Sequence, residues 1–400
     1  MTRLRRRPYL LLIACGIWAL VGCAPAAAPT PDRPPQTDAT PTPLPPPDGW
    51  TPAAAPILLG GITGLRELGT LTVPEPPSTV FAHALSLDNT RLYGLNNDNL
   101  IGWDLLTGEG LFAVPREDAT RLFVSPDRRR IYTVVASGLI RVYASDTGEA
   151  IENFRGIDTY NGVAAYDPLS GMLALGGSDG AVQVWDVPAR AALATLRGTS
   201  APITSLIFSP DAQAVLVADQ NGTLMVWDIT TRQIQTTADL ARPIYALLYT
   251  PQGEFVLVDT PDGTLYLSAA NLSVIGGLAQ APNAGIFAFA GDSSILMHGG
   301  GSAPLTLWNT ETGTLAATLP DAAAERVSAA ASPDGTILFA GALGDGASLW
   351  NLSNVATGTV LRGALRVEDA EIREIVWTND GYQVLFFSTR GPIRVWGIGG

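Results

Sequence analysis

An aromatic residue recurs at nearly constant intervals along most of this 400-residue chain. Successive positions are separated by 40, 42, 42, 39, 42, 42 and 46 residues. Each aromatic residue lies in or closes a short run of alternating apolar residues, such as AVQVWD or TLMVWD, which is typical of a β-strand. The positions are Trp103, Tyr143, Trp185, Trp227, Tyr266, Trp308, Trp350 and Trp396. Such a period indicates eight repeated units rather than a few unrelated domains.

Each unit contains further strand-like runs that are separated by turn signals. A second run lies about ten residues before the aromatic position in most units, and pairs such as Asn221-Gly222 and Asp262-Gly263 join the two runs. These pairs supply the positive φ angles that tight hairpins require. A third run ends in turns such as SPDR or SPDG, and a fourth follows a turn that is often Thr-Gly. Four antiparallel strands in each of eight units predict an all-β fold, an eight-bladed β-propeller.

The spacing, the SPDG-like turns and the Trp-Asp dipeptides at Trp103, Trp185 and Trp227 resemble WD40 repeats. The resemblance covers residues 62–397 and implies four-stranded antiparallel blades around a central axis. The sequence departs from the family in one respect, because no unit has the Gly-His pair and the chain has only two histidines. The Asp-His-Ser/Thr-Trp hydrogen-bond network of many such blades is therefore expected to be absent.

The two ends of the repeat region are expected to meet in one blade. The chain ends just after Trp396, where the third strand of the eighth unit finishes. Residues 62–71 (ITGLRELGTL) contain a Thr-Gly turn and a fourth-strand pattern, but no first three strands precede them. We therefore expect residues 65–73 to be the outer strand of the last blade. Closure of this kind would remove free sheet edges.

The amino terminus reads as an export signal. Four arginines precede an apolar run from residue 9 to residue 21, which has the length of a signal-peptide core and is short for a membrane span. The run ends in Leu20, Val21, Gly22 and Cys23, which resemble the lipobox of bacterial lipoproteins. That resemblance implies cleavage after residue 22, lipidation of Cys23 and an extracytoplasmic, membrane-anchored protein. An ordinary secretory signal is the alternative.

Residues 24–56 form a tract rich in proline, alanine and threonine, with 12 prolines among 33 residues. Proline lacks the backbone N–H that a β-ladder needs, so this tract is expected to be a semi-rigid spacer without a core. The expected organisation is a signal peptide at 1–22, a lipidated cysteine and disordered linker at 23–56, and a propeller at 57–400.

The charge of the chain restricts its partners. All 24 basic residues are arginines and stand against 37 Asp and Glu residues, for a formal charge of −13. Loss of the first 22 residues removes four arginines and no acids, which changes the charge to −17. Such a body repels phosphate backbones, so nucleic acid is not expected as a partner. Both cysteines, Cys15 and Cys23, precede the repeats, which excludes a disulfide or a thiolate metal site in the propeller.

No set of residues in the sequence predicts catalysis. His83 lies in an inner-strand run and His298 at a strand end, and both are interpreted as packed or rim residues. Aspartates 98, 179, 262 and 345 recur in one turn of successive units, either for turn geometry or as a carboxylate ring that binds Ca²⁺ or a cationic partner. An eight-bladed quinone-dependent dehydrogenase is a further alternative, but the adjacent cysteines and calcium ligands of that family are not recognisable. We expect no enzyme activity, no cofactor and no metal.

The sequence points to protein recognition instead. WD40 propellers commonly bind partners on the face formed by the loops between blades and the turns between second and third strands. Arg155, Tyr160, Arg197 and Asp179 are the candidate binding residues on that face, because loops on a rigid scaffold carry specificity. The expected protein is a monomeric, lipid-anchored scaffold for a protein or peptide.

A more specific alternative is a lipoprotein that assists outer-membrane protein assembly. The Thr-Gly turns at Asp146–Glu149 and Glu311–Gly313 resemble the repeats of those eight-bladed lipoproteins. In that family tryptophan usually follows the Thr-Gly turn, whereas here it precedes the turn.

Overall fold

The structure is a computed structural model that describes residues 49–74, 79–278, 286–290, 295–300, 303–310, 314–319, 326–342, 346–355, 361–367, 372–389 and 391–399. The lipobox, Cys23 and Asp345 lie outside the described residues. The chain enters through strand β1 (Ala53–Ala55), a 3-10 helix (Leu59–Gly64) and strand β2 (Leu65–Leu71). No helix in the described ranges has the length and apolar character needed to cross a membrane.

Four-stranded antiparallel blades follow in chain order, as predicted. Blades 1 to 4 comprise β3 Ala82–Leu85, β4 Arg91–Leu95, β5 Asn99–Asp104, β6 Gly110–Pro115; β7 Ala119–Val124, β8 Arg130–Val135, β9 Leu139–Ala144, β10 Ala150–Arg155; β11 Tyr160–Asp167, β12 Met172–Gly177, β13 Ala181–Asp186, β14 Ala191–Arg197; β15 Ile203–Phe208, β16 Ala214–Asp219, β17 Thr223–Asp228 and β18 Ile234–Asp239.

Blades 5 to 7 continue the same pattern, and the chain ends with three strands of blade 8. Their strands are β19 Ala246–Tyr249, β20 Phe255–Thr260, β21 Gly263–Ser268, β22 Val274–Leu278; β23 Ile286–Ala290, β24 Ile295–Gly300, β25 Ala303–Asn309, β26 Thr314–Thr318; β27 Arg326–Ala331, β28 Ile337–Ala342, β29 Gly346–Asn351, β30 Leu361–Val367; β31 Ile372–Trp377, β32 Gln383–Ser388 and β33 Ile393–Gly399.

The predicted closure of the ring is confirmed. Strand β2 pairs antiparallel with β33, from Leu65 opposite Ile398 to Leu71 opposite Ile393. The N-terminal strand thus completes the sheet of blade 8. Blades 8 and 1 are also joined by side chains, because Gln383 Nε2 donates to the carbonyl oxygen of Leu105 at 2.9 Å. The molecule is an eight-bladed β-propeller.

The core is distributed over the junctions between blades. Each of eight described apolar clusters combines residues of two neighbouring blades. The recurring aromatic residues lie in the third strands, where Trp103 and Trp350 are almost completely buried. Tyrosines add polar links across junctions, since Tyr166 donates its hydroxyl to the carbonyl oxygen of Val124 in the preceding blade at 2.8 Å. Packing between blades therefore accounts for the repeated aromatic position.

Residues 50–57 differ from the sequence expectation of a spacer that reaches residue 56. Ala53 and Ala55 pair with the end of β33, and Ile57 is 1% exposed. The Trp50 indole donates to the carbonyl oxygen of Leu106 at 2.9 Å, and its ring lies on Gly108, where a Cβ would approach it to 2.2 Å. The expectation is wrong for this segment because three consecutive alanines keep their N–H groups between the prolines. Residues 50–57 thus link blade 8 to blade 1.

The turns define two faces of the disc. We call upper face the side that carries the turns between second and third strands, such as residues 178–180 and 220–222, and the loops between blades, such as 156–159. The lower face carries the remaining turns, such as residues 168–171 and 187–190. First strands of neighbouring blades contact one another around the central axis, where a propeller has its central channel.

Candidate functional site

The upper-face turns of blades 3 to 5 are braced by a repeated polar contact. Thr159 donates to Asp179 at 2.6 Å, and Thr199 donates to Asp219 at 2.7 Å. In blade 5 an arginine takes the same role, since Arg242 pairs with Asp262 at 2.8 Å. Each donor lies 20 residues before its aspartate. The turns are thus tied to the loop that enters the same blade.

The described contacts at these turns use threonine and arginine rather than histidine. The sequence predicts the absence of an Asp-His network, but it does not predict the contacts made by Thr159, Thr199, Asp219 and Arg242. The constant separation of 20 residues was the available signal. Because Asp219 is 1% exposed, its hydrogen bonds are needed to compensate for lost hydration.

Asp179 shows the electrostatic consequence of this bracing. The hydrogen bond from Thr159 is the largest influence on its pKa, and burial, the next largest, opposes it. Arg197, whose Nη1 lies 2.9 Å from Oδ2 of Asp179, and the backbone N–H of Ala181 act in the same direction as Thr159. Together they lower the pKa of Asp179 to about 2. Asp179 is therefore charged at neutral pH and serves the turn.

The recurring turn aspartates do not all make the same contact. Asp179 and Asp262 each pair with an arginine, while the backbone N–H of Asp98 donates to the side chain of Asn96. In the part of the chain that the structure describes, no cluster of three or more metal-ligating side chains occurs. The carboxylates of Asp179 and Asp262 thus have partners within the chain that support turn geometry.

The candidate binding residues share the upper face but differ in availability. Arg155 and Arg197 are 67% and 63% exposed, and Arg155 forms an ion pair with Asp158. Tyr160 is only 9% exposed and packs in the junction between blades 2 and 3. Its assignment as a surface anchor is therefore wrong. Tyr160 is the first residue of β11, so the loop ends one residue earlier than predicted.

Both histidines lie in blade junctions. The His83 ring stacks on Phe387 with ring centroids 4.7 Å apart, and its Nδ1 is 3.6 Å from a carboxylate oxygen of Glu374. His298 is 1% exposed and lies 3.8 Å from Asp259 of blade 5. Each histidine thus contributes to packing between blades.

The upper mouth of the channel has its own chemistry. Arg121 of β7 donates to the carbonyl oxygen of Gly162 at 2.8 Å and to that of Thr120 at 3.0 Å. The guanidinium of Arg116 lies over the Phe81 ring, 5.3 Å from its centroid. Asn161 of β11 and Thr204 of β15 are exposed. Polar side chains, two of them arginines, thus lie near the upper ends of the first strands of blades 2 to 4.

Comparison with known proteins places these features in a family context. The family described as WD domain, G-beta repeat matches residues 191–228, which cover β14 to β17. Angio-associated migratory cell protein of Homo sapiens is 29% identical over 174 residues, 40% of this chain and 39% of that protein. Transducin beta-like protein 3 of Bos taurus is 31% identical over 120 residues, 29% of this chain and 15% of that protein. The chain thus spans about two-fifths or less of the length of these relatives.

Solved structures share the architecture. The C-terminal WD40 domain of Sif2 has a TM-score of 0.67 at 14% identity, covering 84% of this chain and 99% of that one. The computationally designed Ika8 protein has a TM-score of 0.66 at 20% identity, covering 82% and 99%. At such low identity the likeness concerns the fold.

Proposed function

We propose that this chain, which carries a WD40 repeat and folds as an eight-bladed WD40-type β-propeller, is a non-catalytic platform that binds a protein or peptide on its upper face. The observation that carries the proposal is the contrast within that face. Its turns are held by buried or paired aspartates, while Arg155 and Arg197 extend into solvent. Exposed arginines on a rigid backbone are frequent anchors of protein interfaces.

The names of the relatives support a role in association. One of them, from Gallus gallus, is called serine-threonine kinase receptor-associated protein and is 24% identical over 182 residues, 52% of its length. That name describes the relative. For this chain it supports binding as the general role of the propeller and leaves the partner to experiment.

The platform is, in this proposal, held outside the cytoplasm by a lipid on Cys23. The lipobox and the proline-rich tract before Trp50 support this part. Two or more acyl chains on one cysteine give stable membrane attachment, whereas one chain gives marginal binding. The tract would keep the acidic ring at a distance from the lipid surface.

Site-specific photo-crosslinking tests the binding face. A benzophenone amino acid at Arg155 or Arg197 should yield a crosslink to one defined protein in the native envelope. The matched control is Leu169, which is 55% exposed in a lower-face turn of blade 3. Equal crosslinking from Leu169, or none from the upper face, would contradict the proposal.

The anchor is tested by Cys23→Ala. We expect this variant to accumulate as unprocessed precursor or as freely soluble protein, because the thiol that accepts the lipid is gone. Electrophoretic mass and membrane fractionation in a bacterial host measure both outcomes. Normal processing together with normal membrane retention would refute the anchor.

A further inference from the structure

The inner wall of the channel is almost free of acids on five consecutive blades. Strands β3, β7, β11, β15 and β19 contain one acidic residue, Asp167, which is the last residue of β11 at the lower end. The whole chain has 37 acids against 24 arginines. This wall therefore differs in charge from the molecule around it, and Arg121 is its one arginine.

Arg121 is held in place without a carboxylate. Its guanidinium bonds the carbonyl oxygens of Thr120 and Gly162, which uses two of five N–H groups. Gly162 has open space at its Cβ position, with nothing within 4 Å. The wall thus fixes the guanidinium on one side, and three of its N–H groups remain for a ligand.

Arg116 supplies a second guanidinium just before β7, on the side that faces blade 1. It donates to the carbonyl oxygen of Ala119 at 3.3 Å, one residue before the carbonyl that Arg121 contacts. Of the two acids that follow it, Glu117 is paired with Arg141, and Asp118 has no described contact with either arginine. Its stacking on Phe81 restricts its position.

Four other arginines, whose side chains the structure describes, are already paired with acids. Ion pairs with acids of this chain occupy Arg155, Arg197, Arg242 and Arg373. Among the described residues, neither Arg116 nor Arg121 has such a partner. Their charge is therefore available to an external carboxylate.

We propose that the upper mouth of the channel, between blades 1 and 3, binds an acidic peptide segment of the partner, with Arg121 as the residue that donates to its carboxylate. This inference rests on the proposed function and specifies the chemistry of the partner. A guanidinium with a fixed orientation binds a carboxylate through two parallel hydrogen bonds. Low-dielectric walls strengthen the attraction at a channel mouth. A nucleic acid is disfavoured because the surrounding acids repel an extended phosphate chain.

The test measures binding of a rhodamine-labelled hexapeptide of alternating aspartate and serine to the full-length protein in detergent. Fluorescence anisotropy should show binding that weakens with salt, while the peptide with asparagine in place of aspartate should not bind. We expect Arg121→Gln to weaken binding at least about tenfold, the loss typical of one charge-assisted hydrogen bond. Arg190→Gln, at an arginine of a lower-face turn that is paired with Glu152, should change affinity by less than about twofold.

Several outcomes overturn the proposal: no binding of the aspartate peptide, equal binding of both peptides, or equal losses in the two variants. Arg121 also donates to Gly162 across a blade junction, so its loss could destabilise the fold. The affinity of Arg121→Gln is therefore interpreted only if its unfolding midpoint equals that of the unchanged protein. If Arg121→Gln unfolds, Arg116→Gln decides, with an expected loss of at least about threefold. If the aspartate peptide does not bind but Arg155 still gives a crosslink, the proposed function stands and only the acidic-peptide inference is wrong. If no upper-face position gives a crosslink, the proposed function is wrong as well.

Discussion

At the scale of single residues, Asp179 illustrates how a turn of this propeller keeps its shape. The carboxylate accepts hydrogen bonds from Thr159, from Arg197 and from the N–H of Ala181. The following Gly180 has a φ of +76°, and a Cβ there would lie 2.3 Å from a carbonyl oxygen of Thr199. Both residue types are thus required, the aspartate for its acceptors and the glycine for its conformation.

We expect Asp179→Asn to destabilise the propeller in a pH-dependent way. The pKa of Asp179 is lowered to about 2, so its carboxylate stabilises the folded state above the unfolded pKa near 4, and this contribution is lost as the pH falls towards 2. The side chain is 34% exposed, which limits the effect to about 1 kcal/mol at neutral pH. Urea unfolding of both proteins at pH 7 and at pH 2.5 measures the difference, which should shrink in acid.

The control for this prediction is Asp118→Asn. Asp118 is exposed, and its φ of +65° suits asparagine as well as aspartate. Its replacement should leave the unfolding midpoint unchanged at both pH values. A constant deficit of Asp179→Asn across the pH range would show that the charge of Asp179 has no part in stability.

At the scale of elements, β2 is the strand on which closure of the ring depends. Leu68 at its centre is 1% exposed, and β2 covers the free edge of β33. Leu68→Asp places a charge without a partner in that core, so we expect a loss of more than about 3 kcal/mol in the free energy of unfolding.

The matched control is Leu315→Asp, a leucine of another outermost strand, β26, that is 48% exposed. It should change the free energy of unfolding by no more than about 0.5 kcal/mol. Urea denaturation followed by circular dichroism measures both variants. Similar losses would mean that blade 8 has no special role in holding the ring together.

The elements also show which features a sequence can predict. The aromatic position, the Asn-Gly and Asp-Gly turns and the closing strand depend on local patterns, and the structure confirms them. Docking of Trp50 depends on two glycines, Gly69 and Gly108, that are distant from it in sequence. The pairing of Thr159 with Asp179 likewise depends on two loops that meet only in the folded blade. Neither contact has a local sequence pattern. The separation of 20 residues between Thr159 and Asp179 does recur in two further blades, so it could have been found in the sequence.

At the scale of the whole molecule, net charge governs which macromolecules can approach. Without its first 22 residues the chain carries 20 arginines and 37 acids, and the described upper-face arginines outside the channel mouth are already paired. We expect the protein in detergent not to shift double-stranded DNA in a gel at low ionic strength, where electrostatic attraction would be strongest. A shift that disappears with added salt would contradict this expectation.

The pairing of β2 with β33 has a consequence for biosynthesis. Blades 1 to 7 each consist of one contiguous stretch, so the strands of such a blade can pair once that stretch has been made. Strand β2 must instead wait until the distant β33 has been made. A chain that stops before β33 therefore leaves β2 without its partner strand and leaves blade 8 incomplete. Proteases that seek such edges would thus distinguish unfinished copies from complete ones.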